Sequence, residues 1–180
     1  MNVAIIGSGS WATALAKIVM HNALDINWYI RKQETIDEFI EIRRNPNHLE
    51  WAYFDVSRIH FSADINAVIE QSDILVLAVP SPYLKQSLND ITVDMSQKMV
   101  ISAVKGMIPD ENLLVTEYMN QYFQVPKENL GVIAGPCHAE EIALERLSYL
   151  TVGCKDMQKA IEWSKLFDTP YVRTTPSNDV

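Results

Sequence analysis

Gly7-Ser8-Gly9-Ser10-Trp11-Ala12 is the first group of residues whose types and spacing could do chemistry. The pattern is G-x-G-x-x-A. It follows an apolar run and precedes a stretch rich in Ala and Leu. Each small residue answers a physical need. Gly7 allows a turn tight enough to re-enter a sheet. Gly9, without a Cβ, lets a pyrophosphate approach the backbone. Ala12 lets the next helix pack closely on the strand. The helix start then offers unpaired amides and a partial positive charge to an anion. The strand–turn–helix context, more than the bare spacing, makes the pattern specific for a dinucleotide.

Further candidates lie downstream. Dinucleotide-binding folds carry an Asp or Glu for the ribose roughly 20 residues on, at the end of the second strand. Here that strand end is basic, reading Arg31-Lys32-Gln33-Glu34. A cation there can hold a 2′-phosphate, which favours NADP or dual use over strict NAD. The alternative is that Arg31 and Lys32 are solvated loop charges. Lys105 follows an apolar run and precedes Gly106. At the carboxyl end of a parallel strand it would lie in the ligand crevice, able to stabilise oxygen charge during hydride transfer. The alternative is an exposed turn lysine. The histidines His21, His48, His60 and His138 lack metal-ligand spacing, so no metal site is expected. Glu140 and Glu141 read as electrostatic caps of a helix start. Trp28, Tyr29, Trp51, Tyr53 and Phe54 read as core or loop packing, with no basic interleaving to suit a single-stranded nucleic acid.

Positioning these residues requires alternating strands and helices. Strands are predicted at 3–6, 26–30, 58–61, 73–79, 99–103, 130–134, 148–153 and 171–173. Helices are predicted at 11–20, 34–43, 64–71, 82–89, 112–123, 139–145 and 157–167, and 44–57 reads as irregular around Pro46. Such alternation implies an α/β fold: a Rossmann-type doubly wound, mostly parallel sheet with helices on both faces.

The bulk properties agree. With 180 residues the chain suits one domain, and 48% hydrophobic residues suffice for a core. A net charge of −8 and a pI near 4.9 argue against nucleic acid or an anionic membrane surface as the main partner. A small phosphate ligand remains compatible, because a few amides and one Lys can hold it locally. Cys137 and Cys154 form no CxxC pair, so neither a disulfide framework nor a zinc site is expected. The start MNVAIIGSGS lacks the features of a signal peptide, and no apolar run is long enough to span a membrane. The expected location is cytoplasmic. The chain stops at Ser177-Asn178-Asp179-Val180 without a capping element, as a cut in a longer protein would.

Taken together the motifs show a resemblance. Gly7 to Ala16 resembles the opening G-x-G-[ST]-[WY]-G-T-A-L-A of the NAD(P)-dependent glycerol-3-phosphate dehydrogenases. Arg44-Asn45-Pro46-Asn47-His48-Leu49 resembles that family's loop after the second helix. Val104-Lys105-Gly106-Met107 resembles its [TV]-K-G-[IL] segment, and Ala134 to Glu141 its S-G-P-[ST]-x-A-x-E segment. The resemblance runs over essentially the whole chain. It implies that Ser10 and Trp11 contact the cofactor, that Arg31 and Lys32 face the adenosine ribose, and that Ala139 approaches the cofactor. It further implies that Lys105 touches both nicotinamide and substrate, and that Gly135 and Cys137 touch the glycerol phosphate. Two positions depart from the family: Ala12 replaces a Gly, and Cys137 replaces Ser or Thr, weakening a hydroxyl contact to a thiol one. A helix start lowers a thiol pKa, yet only His138 could act as base, so Cys137 is expected beside substrate rather than as a nucleophile.

Residues 1–180 thus read as an N-terminal dinucleotide-binding domain. The resemblance implies a helical C-terminal domain beyond Val180, carrying the general-base lysine, most substrate phosphate ligands and the contacts of a full-length homodimer. The fragment is expected to be inactive alone. The complete enzyme would interconvert sn-glycerol 3-phosphate and dihydroxyacetone phosphate, feeding glycerophospholipid synthesis. The alternatives are a hydroxyacid or ketopantoate-type reductase and a non-catalytic nucleotide sensor.

Overall fold

The computed structural model describes residues 1–22 and 25–180. The chain opens with β1 (Val3–Ile6), α1 (Ser10–Asn22), β2 (Ile26–Tyr29), α2 (Gln33–Ile42), β3 (Ile59–Ser62), α3 (Ile65–Glu70), β4 (Ile74–Leu77), α4 (Ser81–Leu88) and β5 (Met99–Ser102). It continues with β6 (Met107–Ile108), β7 (Leu113–Leu114), α5 (Val115–Phe123), β8 (Leu130–Ala134), α6 (Ala139–Ala143), β9 (Ser148–Cys154), α7 (Met157–Phe167) and β10 (Val172–Ser177). Among the described residues the main sheet has eight strands in the order β10-β9-β8-β5-β4-β1-β2-β3. Six run parallel; β9 is antiparallel to β8, and β10 follows β9.

Strand pleating divides the core in two. Val3, Ile5, Ile26, Trp28, Ile74, Val76 and Ile101 face one layer, filled by buried residues of α1, α2, α6 and α7. Ala4, Ile6, Tyr29, Leu75, Leu77 and Val100 face the other, filled from α3, α4 and α5. Both faces of the central strands are covered, which is why their sequences are apolar without alternation. The second strand carries the large aromatic of the first layer. Trp28 is fully buried, with ring centroids 5.2 Å from Phe39, 5.6 Å from Phe54 and 5.7 Å from Phe61.

The structure departs from the sequence reading in several places. Helix was expected from Asn112, but α5 starts at Val115. The preceding residues form the β6–β7 hairpin, with Met107 opposite Leu114 and Ile108 opposite Leu113. Asp110 (φ 70°) and Asn112 (φ 52°) adopt the left-handed conformation that turns it; these residue types tolerate that region, so helix propensity loses to turn chemistry. Helix α6 ends at Ala143 instead of Glu145, which is itself left-handed at φ 57°. Trp51 and Tyr53 lie outside the core, Tyr53 packing at the surface of its loop against Arg44, and Ile40 points outward from α2.

Two helices begin on an aspartate whose side chain accepts first-turn amides: Asp64 from Asn66 N and Ala67 N, and Asp156 from Gln158 N and Lys159 N. Helix α7 packs Ala160, Trp163 and Phe167 beneath β8 and β9. Asp156→Ala is expected to cost about 1 kcal/mol, read as a lower urea midpoint with an unchanged slope.

Candidate functional site

In a doubly wound sheet the ligand crevice opens at the carboxyl ends of the strands, where the connections diverge to either side. Here that point lies between β1 and β4. The main chain leaves β1 through Gly7, whose φ is 128°, a value L residues avoid. A Cβ at Gly7 would also lie 2.6 Å from Ala78 O at the end of β4. Gly9 differs in kind: a Cβ there would meet nothing within 4 Å. The first glycine is required by the sheet, whereas the second leaves open space above the turn.

The turn is held from beneath. Trp28 Nε1 donates to Gly7 O at 2.7 Å, and Asn45 Nδ2 donates to Ser8 O at 2.9 Å and to Thr13 Oγ1 at 2.8 Å. Thr13 Oγ1 in turn donates to Gly9 O at 3.0 Å. Ser10 Oγ and His48 Nδ1 are 3.2 Å apart, a further tie between the turn and the 44–49 loop. No acidic residue sits in the first turn of α1, so its unpaired amides face no competing carboxylate from their own helix.

Two clefts meet at this turn. One, of about 410 Å³, is lined by Gly9, Ser10 and Trp11, by 78–82 after β4, by 103–105 after β5, and by 137–140 at the start of α6. Lys105 and Ala139 therefore share a wall with the glycine turn. The other, of about 300 Å³, is lined by Ser8, Ile30, Arg31, Lys32, Thr35, Asn47 and His48. It holds Arg31 and Lys32 together, and no carboxylate lines it. A third hollow, of about 380 Å³, lies at the amino ends of β1 and β2 beside Asn2, Asp25, His60 and Gln71. Its position is the wrong end of a parallel sheet for a dinucleotide. Ala12 is wholly buried, so it contributes close helix–strand packing and its backbone. Gly135 lies outside the cleft lining; a Cβ there would sit 2.4 Å from Tyr149 O, so β9 explains the absent side chain.

Residues 2–160 match the model of the NAD-dependent glycerol-3-phosphate dehydrogenase N-terminus. The chain belongs to this family. It is 29% identical to glycerol-3-phosphate dehydrogenase [NAD(P)+] of an Exiguobacterium species, over 99% of this chain and 53% of that protein. Among solved structures, the glycerol-3-phosphate dehydrogenase of Plasmodium falciparum is 27% identical, with a TM-score of 0.86 over 97% of this chain and 52% of that one. The enzyme from Coxiella burnetii, at 22% identity and a TM-score of 0.83, shares the fold over 99% of this chain and 54% of its own. The chain thus spans about half the length of the curated relatives it matches. The family membership displaces the hydroxyacid and ketopantoate-type alternatives. No helix among the described residues is long and apolar enough to cross a membrane.

Within this glycerol-3-phosphate dehydrogenase N-terminal fold, the cleft wall at the start of α6 holds Cys137. The helix start was expected to lower its pKa. Burial instead pushes the thiol up, partly offset by the Lys105 ammonium and reinforced by the Glu141 carboxylate. The physical reason is that Cys137 is itself buried and precedes a five-residue helix, so desolvation outweighs a weak dipole. Glu141 does cap α6, its Oε2 accepting His138 N at 3.4 Å. The Lys105 segment is anchored by the β6–β7 hairpin just after it. Glu111 in that hairpin accepts from Lys85 of α4 and, at 3.0 Å, from Tyr122 Oη of α5. The Lys85 hydrogen bond and that of Tyr122 hold the Glu111 carboxyl below its ordinary range.

Sequence reasoning assigned no role to Asn45, His48 or Trp28 in the site. Trp28 carried a signal, since a buried indole N–H needs an acceptor. Asn45 stood inside a recognised loop motif, but its partners are 37 and 32 residues away and leave no periodic trace. One consequence is measurable. Cys137 should alkylate slowly with iodoacetamide near neutral pH compared with the unfolded chain. Lys105→Gln should slow it further, because losing the cation raises the thiol pKa, and Glu141→Gln should speed it. The opposite order would refute this electrostatic account.

Proposed function

We propose that these residues form the dinucleotide-binding half of an NAD(P)-dependent enzyme that interconverts sn-glycerol 3-phosphate and dihydroxyacetone phosphate. The observation that carries this reading is the meeting of the glycine turn, Lys105 and the Cys137–Ala139 helix start on one cleft. The residues fit such a cofactor. The space above Gly9 admits a pyrophosphate, and Ser10 and Trp11 open the helix that would face it. The second cleft suits the adenosine end, with Arg31 and Lys32 beside the ribose. The bound nicotinamide supplies or accepts the hydride.

The chain's own residues then bind, orient and stabilise. Lys105, exposed just beyond the end of β5, lines the cleft, where its ammonium would neutralise charge on the substrate oxygen that gains or loses the proton. Ala139 bounds the nicotinamide side. Cys137 offers a weak thiol contact to the phosphorylated substrate, and Gly135 offers backbone. The general base is a lysine outside these 180 residues, on a helical domain that also makes the homodimer. Two buried, unpaired cysteines suit a reducing cytoplasm.

The decisive measurement uses the full-length enzyme with NADPH and dihydroxyacetone phosphate, following absorbance of the reduced nicotinamide. Turnover is expected. Cofactor binding without turnover would instead establish a nucleotide sensor. Arg31→Ala should weaken NADPH more than NADH, by about tenfold if one charge-assisted contact to the 2′-phosphate is lost. Equal losses would remove the 2′-phosphate role.

A further inference from the structure

Asn45 is a polar side chain buried to 1% exposure, and every hydrogen-bonding group it carries is used. Its two amide hydrogens go to Ser8 O and Thr13 Oγ1, and its Oδ1 accepts Asn47 N at 3.0 Å. The donors therefore point at the glycine turn and the acceptor points back at its own loop. That assignment follows from the partners, because Ser8 O can only accept and Asn47 N can only donate.

A trans peptide is planar, so its C=O and the following N–H point in opposite directions. Asn45 draws Ser8 O inward, and the same plane turns the Gly9 amide away from Asn45. Trp28 acts one residue earlier: by drawing in Gly7 O it orients the Ser8 amide likewise. Glycine on either side of Ser8 leaves these peptide planes little intrinsic preference, so side-chain donors must set them. Through Thr13 the same amide reaches Gly9 O, fixing the next plane as well.

We infer that Asn45 is a positioning residue for cofactor binding, aiming the Gly9 amide at the pyrophosphate by holding the Ser8 carbonyl. This rests on the dinucleotide reading above and adds to it the group that sets the turn's anion affinity. Asn45 touches no ligand itself. An amide is required there because the Ser8 carbonyl and the Asn47 amide need a donor and an acceptor from one side chain. A carboxylate of the same shape would repel Ser8 O, leave Thr13 Oγ1 without its donor, and place negative charge under the anion site.

Asn45→Asp tests this. NADPH and ADP, which share a pyrophosphate, are titrated calorimetrically into the full-length enzyme and the variant from pH 5 to pH 8.5. At pH 8.5 the variant should bind both about tenfold more weakly than wild type. The ratio should narrow as pH falls, because the introduced carboxyl, with its pKa raised by burial, regains a donor proton and loses its charge. Loss of packing alone would give a ratio independent of pH. Thr13→Val, which adds no charge, should weaken both ligands by a smaller, pH-independent factor, with a folded near-ultraviolet dichroism spectrum. Wild-type affinity in both variants, or a flat ratio in Asn45→Asp, would overturn the role of Asn45 while leaving the dinucleotide reading intact. Failure of the wild type to bind either ligand would overturn both.

Discussion

Where β1 ends, the chain must leave the sheet without colliding with β4, whose Ala78 carbonyl lies 2.6 Å from where a Cβ on Gly7 would be. Everything in the site follows from this crowding. Only glycine passes, at a φ of 128°, and the passage starts α1 directly above the carboxyl ends of the central strands. Helix α1 is then forced onto the sheet at close range, which Ala12, Ala14 and Ala16 permit, all fully buried. The clefts on either side of the turn are what remains when α1 and the exits of β2, β4 and β5 diverge. The site is a by-product of close packing at the point where the connections part, not a cavity carved into a finished core.

Much of this was legible in the residues. Apolar runs bounded by turn chemistry locate the main-sheet strands from β1 to β9 to within a few residues, because strands covered on both faces are mostly apolar. The glycine turn is legible because its residues are dictated by sterics alone. The reversal of β9 is not, since an inward-facing strand reads the same in both directions. Nor is the β6–β7 hairpin: two-residue strands carry no periodicity, and Leu113-Leu114-Val115 suits a helix as well as a hairpin. Lys105 was placed correctly after its strand, and the structure adds what steadies it, the Glu111 tie between α4 and α5.

The same contrast holds within the site. Gly7, Gly9, Arg31, Lys32 and Lys105 announce themselves by type and by place relative to a strand end, whereas Ser10 and Ala139 entered only through the family resemblance. Asn45 and Trp28 do not announce themselves, because they act through hydrogen bonds to groups distant in sequence. Cys137 misleads for a related reason. Its position before a helix is visible in sequence, while the burial that governs its thiol depends on neighbours assembled from the whole sheet. Local rules name the candidate groups, and tertiary contacts decide how those groups are aimed and charged.

The division of the interior into two layers has a consequence for how the molecule tolerates change. Each central strand sends alternate side chains to opposite layers, so none spans both. Volume lost or gained on one side reaches the other only by bending the strands between them. Replacements on opposite sides should therefore add in free energy, whereas those within one side couple through shared neighbours. The aromatic group around Trp28 belongs wholly to one layer, and that layer also carries the buttress of the glycine turn. Replacements around Trp28 should therefore reach the buttress of the glycine turn directly, whereas those beneath α3, α4 and α5 should reach it only through the sheet.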